Sequence, residues 1–440
     1  MTTTSTILLS LSIALLAGLL LSRLVKLIKL PAVTAYLIAG ILIGPYVLGA
    51  INIDGIGITS NQIHGLGIIC ELALGFIAFS MGNEFRLDAL KKIGKPATVI
   101  GILQAVITCL VVDAILIGIH FIIPDKFSLT SAIVLGAIAT ATAPAATLMV
   151  VKQYKAKGPV TDTLLPVVAM DDAVGLILFS ISFSIAQVFA KQQAGIGGGE
   201  ISIVNILLFP LLEIIVSLAI GAILGLILSF AMKFFKSRAN RLICMIAATF
   251  LAVALCELFG TWFGFELSSL LTCMMVGAVF CNTRKDAIAI FEGVDRWTPA
   301  IFMMFFILSG AELNFKLITL PVLGICAVYL IARSLGKYFG ARFGCKLAGA
   351  DDSVKKFLGL TLLPQAGVAI GMARSASSTF KALALNEKLE NPLFENEAYL
   401  TNIGLTVTAV VLCATLVYEL VGPAITKLAL VKANEIQEDK

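Results

Sequence analysis

Charge is scarce in this 440-residue sequence: Asp, Glu, Lys and Arg make up 13% of it, where a soluble domain carries roughly 25%. Hydrophobic residues make up 59% and the mean hydropathy is +1.01. That balance excludes a soluble fold. Histidine is nearly absent, with only His64 and His120, and the nine cysteines fall in apolar segments with no C-x-x-C pair. That pattern argues against a zinc site and against a disulfide framework. The net charge of +5 would suit a nucleic-acid partner, but the placement of the basic residues argues for a membrane and against nucleic acid.

What the sequence has in abundance is apolar stretches of the roughly 20 residues needed to cross a ~30 Å hydrocarbon core. Thirteen are expected, near 6–23, 31–48, 65–82, 97–123, 129–151, 163–190, 202–232, 241–260, 265–283, 298–311, 317–345, 356–378 and 399–426. The predicted fold is an all-α polytopic membrane protein, one transporter domain through 1–440. The connections after odd-numbered helices hold 24 of the 32 Lys and Arg, and the even-numbered ones only Lys126, Lys191, Lys316, Lys381 and Lys388. Under the positive-inside rule the N-terminus is outside and the C-terminus cytoplasmic. The first apolar stretch has no basic residues before it and no cleavage site after it, so it reads as a retained helix. After the last helix the sequence offers no soluble regulatory domain.

Thirteen spans divide as six, one and six, and a single linking helix inverts the second set, which is the organisation of many transporters. Gly82-Asn83-Glu84-Phe85 at the end of the third span is echoed by Gly310-Ala311-Glu312-Leu313 at the end of the tenth. The fifth and twelfth spans are both interrupted by proline, Pro144 and Pro364, the second with Gly367 and Gly371 nearby. Proline removes a backbone donor and clashes with the carbonyl four residues back. Paired interruptions at matching repeat positions point to a binding site, since irregular backbone in a membrane must line a cavity or face protein.

An ionisable group at the bilayer centre costs roughly 2.5–3.5 kcal/mol on insertion scales, so each deep one needs a purpose. Asp171 and Asp172 sit near the middle of the sixth span, about 100° apart on a helix, and so have two environments and two roles. Lys337, midway along the eleventh span, is the deepest cation, and its expected partner is one of these acids; Arg333, one turn away, is a second candidate. Thr140 and Thr142 beside Pro144 offer hydroxyl oxygens to a hard cation, although such hydroxyls commonly bond their own backbone. Glu71 is a possible accessory acid; Asp113, Glu213 and Glu257 also lie within spans.

PAVTAYLIAGILIGP at 31–45, ELALGFIAFSMGNEF at 71–85, MDDAVG at 170–175 and SLGKYFG at 334–340 together resemble the cation/proton antiporter superfamily, most of all its aspartate-pair branch of bacterial Na⁺/H⁺ antiporters. The resemblance implies that Asp172 carries cation and proton, that Asp171 partners Lys337, and that Thr142 lies in an unwound crossing of two broken helices. It implies Asp171 and Asp172 as ligands of a transported Na⁺ (or Li⁺), with no cofactor beyond the transported Na⁺ and H⁺. It also implies membrane-lipid surroundings, a homodimer in the bacterial cytoplasmic (inner) membrane, and a mobile core (about 65–190 and 298–426) beside a dimerisation scaffold (about 6–48 and 202–283). One departure is Ala143, where some members of that branch have an acid. The expectation is secondary active, electrogenic antiport and no enzyme activity. The alternative is a K⁺/H⁺ or electroneutral antiporter of the same fold. A passive channel is disfavoured because no filter-like Gly-rich loop is present, and an intramembrane aspartyl protease because its acids must face each other from separate helices.

Overall fold

The computed structural model describes residues 3–27, 32–51, 57–143, 147, 150–151, 154–196, 203–263, 267–313, 319–390 and 396–436; some side chains within these ranges, Asp172 among them, fall outside the description. The described residues are helical, joined by turns and short 3₁₀ segments. In chain order the helices are α1 (Thr3–Leu27), α2 (Ala32–Ile43), α3 (Ser60–Gly65), α4 (Gly67–Gly82), α5 (Leu87–Ile122), α6 (Leu129–Ile138), α7 (Pro159–Gln193) and α8 (Ile203–Ala231). There follow α9 (Arg238–Phe263), α10 (Ser269–Thr283), α11 (Ala287–Trp297), α12 (Pro299–Ala311), α13 (Leu320–Leu347), α14 (Asp352–Thr361), α15 (Gly367–Glu390) and α16 (Glu397–Lys432).

Among the described residues, eight helical segments are long and apolar enough to cross a membrane, one of them running from α2 through the following 3₁₀ segment to Ile51. Among the expected spans, α4, α6, α10 and α12 are apolar but only 10–16 residues long, so length identifies fewer crossings than the hydropathy pattern does. The expected twelfth span is two helices, α14 and α15. Helix α11 was not expected. It carries buried Ala287, Ile290, Phe291 and Val294 at i, i+3, i+4 and i+7, the pattern of an amphipathic helix with one face covered.

The chain divides into two compact units, each taking one piece from either half: Met1–Lys92 with Leu211–Asn314, and Ile93–Pro210 with Phe315–Lys440. By contacts, α4 and α12, grouped above with the mobile core, belong to the first unit. That unit packs on glycine. A Cβ on Gly310 would lie 2.3 Å from the Leu37 carbonyl oxygen and one on Gly82 2.3 Å from that of Met274, so the α2/α12 and α4/α10 backbones meet with nothing between them. Gly82 and Gly310 are the glycines of the repeated motif, and each ends or nearly ends its helix.

In the second unit, α7 packs on α6 and α14, and α13 packs on α14 and α16. Ala97, Ile100, Val160, Leu164, Leu358, Leu430 and Ile436 share one buried cluster that fixes the first turns of α7. Glu435, beyond the last helix, completes the arrangement. Its carboxylate accepts hydrogen bonds from the Val160 and Thr161 amides (2.6 and 2.8 Å) and from the Thr161 hydroxyl (2.7 Å). An anion there satisfies orphan donors and suits the positive end of the helix dipole.

Candidate ion site

Helix α6 stops at Ile138, and residues 139–143 run without helical structure; Pro144 itself lies outside the described residues. Between α14 and α15, residues 362–366 are likewise not helical. The two breaks meet. The Ala143 amide donates to the Pro364 carbonyl (2.8 Å), the Thr142 hydroxyl to that of Leu362 (3.2 Å) and the Thr147 hydroxyl to that of Thr361 (3.2 Å).

A helix end leaves four carbonyls without intrahelical donors, and in a buried site each needs a partner. Arg333 of α13 supplies three bonds with its rigid fork of donors: Nε to the Ala139 carbonyl at 2.9 Å, and one Nη each to those of Ala141 and Leu363 at 2.6 Å. Its guanidinium also stacks 4.5 Å from the Tyr418 ring. Gln365 adds a bond from Nε2 to the Ile138 carbonyl at 3.1 Å. Arg333, weighed above as a partner for an acid, therefore binds the backbone of both broken segments.

Lys337 lies one turn further along α13, on the same face. Its ammonium is fully buried and sits 2.7 Å from Oδ2 of Asp171, which is also fully buried. It donates further to Gln104 Oε1 at 3.0 Å and to the Thr140 carbonyl. A proline at 144 has no N–H to offer the carbonyl of residue 140, so the break itself leaves that oxygen available. Gln104 Nε2 donates to the other carboxylate oxygen of Asp171, which closes a three-residue ring of hydrogen bonds.

The sequence reasoning missed Gln104. Its signal was an amide in the mostly apolar run ILQAVITCL, which in the structure faces a stripe of glycines every four residues, Gly336, Gly340 and Gly344. A Cβ at these positions would lie about 3 Å from the Thr108, Gln104 and Ile100 backbone, so α5 and α13 approach closely enough for Gln104 to reach Lys337.

Asp171, Lys337, Arg333, Thr140 and Thr142 are thus gathered in the second unit. The Thr140 hydroxyl bonds locally to the Ala137 carbonyl (2.7 Å), whereas its main-chain oxygen faces the ammonium. Asp172 follows Asp171 in α7, with its side chain outside the described residues. Glu71 is half-buried on α4 in the first unit. Asp113 takes a 3.4 Å bond from the Cys109 thiol, and its Oδ1 occupies the space that a Cβ on Gly136 would fill.

The model of the transmembrane sodium/hydrogen exchanger family matches residues 11–422. The chain belongs to that family. Membership makes it an integral membrane transporter and not an enzyme. Over 323 residues the exchanger is 24% identical to a Na(+)/H(+) antiporter of Enterococcus hirae, a match covering 71% of this chain and 76% of that protein. Its fold resembles that of the sodium proton antiporter MjNhaP1 from Methanocaldococcus jannaschii at pH 8, with a TM-score of 0.72 at 17% identity over 96% of this chain and 97% of that one. A second structure of MjNhaP1 gives 0.70 at 18% identity over 98% of each chain.

Proposed function

We propose that this exchanger is a secondary active Na⁺/H⁺ antiporter of the aspartate-pair type, moving Na⁺ (or Li⁺) against protons by alternating access at Asp171 and Asp172. The observation that carries the reading is the fully buried Lys337–Asp171 ion pair at the crossing of two broken helices. Two charges taken out of water cost several kcal/mol each, and an apolar pair of the same volume would be at least as stable. Their retention fits a working site better than a structural one.

The mechanism is competition for carboxylates. With Lys337 holding Asp171, the adjacent Asp172 is left to take either a proton or a dehydrated cation; proton binding on one side expels the cation, and the reverse happens on the other. If Lys337 also gives up its proton as the cation enters, two protons move per Na⁺. Net charge then crosses, and the membrane potential contributes about 2.3 kcal/mol per 100 mV. Charge placement supports the orientation stated above, N-terminus outside and C-terminus cytoplasmic, in a bacterial cytoplasmic membrane. The resemblance adds a homodimer.

Purified protein in liposomes, with an internal pH dye and each cation added in turn, tests the assignment. Na⁺-driven alkalinisation or acidification that responds to an imposed potential is the expected result. Exchange driven by K⁺, or exchange indifferent to potential, would establish the alternative antiporter type. No cation-dependent proton movement would remove the reading altogether.

A further inference from the structure

One acid lies outside the ion site and has no cation beside it. Asp113 is on α5, and its Oδ1 is buried with no hydrogen-bond partner among the described residues. Its Oδ2 takes a single 3.4 Å bond from the Cys109 thiol, a weak donor. Among the described residues no basic side chain forms an ion pair with it. The carboxyl occupies a notch in α6: a Cβ on Gly136 would coincide with Oδ1 and lie 2.5 Å from Cγ.

The surrounding elements offer this group little. Helix α6 has no titratable residue between Leu129 and Ile138. On α5 the titratable neighbours are Cys109, one turn back, and His120, two turns on, whose Nδ1 bonds the Phe127 carbonyl at 2.7 Å. From α7, the Ser182 hydroxyl lies beside the Cys109 thiol, and α7 has no charged residue within two turns of Ser182. Asp171 is eleven residues before Ser182, about three turns, so Asp113 and the ion pair are separate groups. An ionised Asp113 would place a bare charge in hydrocarbon with one weak donor, which is heavily penalised; the neutral acid is not. Ionisation therefore requires the notch to open. The carboxyl O–H bond then breaks, the proton passes to entering water and the carboxylate keeps the electron pair. Gly136 is one turn before Thr140, whose carbonyl holds the Lys337 ammonium, and the carbonyls of Ala139 and Ala141 hold Arg333. A shift of α6 at Gly136 is carried to all three.

We propose that Asp113 is a second proton-binding site of this protein, protonated while α6 packs on α5 and ionised when α6 withdraws, so that its proton sets the position of the broken end of α6. Coupling of that proton to cation exchange rests on the antiporter reading; the site itself does not.

Infrared difference spectra between acid and alkaline pH, taken on purified protein in liposomes, read the site without transport. Wild type should lose the carbonyl band of a protonated carboxyl on going to alkaline pH. Asp113→Asn keeps the neutral shape but has no acid proton, and its difference spectrum should lack that band. Cys109→Ser places a stronger donor on the carboxylate and should move the midpoint of the band to lower pH. A difference spectrum unchanged by Asp113→Asn would overturn the site. Should Asp113→Asn not fold, an unmoved midpoint in Cys109→Ser would overturn it instead. In the liposome transport assay, Asp113→Asn should flatten one limb of the pH profile of exchange, and a profile superimposable on that of wild type would overturn the coupling. Wild-type protein without any exchange would refute the antiporter reading and leave the infrared result standing.

Discussion

Among the described residues, the polar side chains buried in the first unit are all serine or threonine, while the second buries Asp171, Arg333, Lys337, Arg374, Glu419 and Glu435 as well. Several of the first unit's hydroxyls are satisfied within their own helices, as in Ser10 to Thr6, Thr249 to Met245, Thr298 to Val294 and Ser309 to Phe305, while Ser217, Ser229 and Thr272 bond to neighbouring helices. Neutral groups of this kind ask far less of the fold than charges do. The charges of the second unit need all of it: two broken helices, a clamp of arginine on carbonyls, and an amide wedged between lysine and aspartate. Membrane insertion penalises that arrangement and glycine packing of apolar helices does not, so the second unit carries its buried charges at a cost in stability.

The largest effect should come from splitting the ion pair. Lys337→Ala and Asp171→Asn each leave the other charge or its partners unsatisfied in the membrane, at a cost of about 3–5 kcal/mol. Because either change removes the same interaction, the double variant should lose far less than the sum. Additive losses in thermal stability would break the pairing. The first unit should respond to volume instead: Gly310→Val drives a side chain into the Leu37 backbone and should cost about 1–3 kcal/mol, with the cation dependence of whatever transport remains unchanged. A shifted ion preference in that variant would blur the contrast between the units.

Thr142→Val tests the crossing more gently. Losing the hydroxyl bond to the Leu362 carbonyl should cost about 1 kcal/mol of stability and weaken apparent cation affinity while transport is retained. Unchanged affinity would make the hydroxyl purely structural. The smallest effect belongs to the surface of the first unit, where Arg284 grips Asp286 with two 2.9 Å bonds and Arg241 adds a third at the same distance. The hydrogen bond from Arg284 holds the Asp286 carboxyl below its ordinary value. A depressed folded-state pKa contributes stability above the usual carboxylate range and loses it as pH falls through the folded value. Asp286→Asn should therefore change stability by less than about 0.5 kcal/mol at neutral pH and by less still in acid. A larger loss would give charge a structural role in the first unit too.

Helix positions were legible because apolar runs and charged breaks record the membrane directly, and the breaks in the fifth and twelfth spans because proline leaves no alternative. Asp171 and Lys337 stood out as charges in apolar surroundings. Gln104 did not, since a neutral amide raises no alarm in a hydropathy count, and only the glycine stripe on α13 would have shown that α5 comes within its reach. Arg333 looked like an alternative partner for an acid because sequence does not reveal which carbonyls a broken helix leaves open. Helix α11 was hidden in a connection judged by its charges, though its apolar residues carry a helical period.

The central claim is that adjacent acids on α7 exchange cations for protons, and Asp172 is the residue on which it turns. Sodium-driven proton movement in liposomes should be abolished by Asp172→Asn while the protein remains folded, because an amide can neither release a proton nor offer an anionic ligand to a dehydrated cation. Undiminished exchange in that variant would contradict the account and move the site elsewhere.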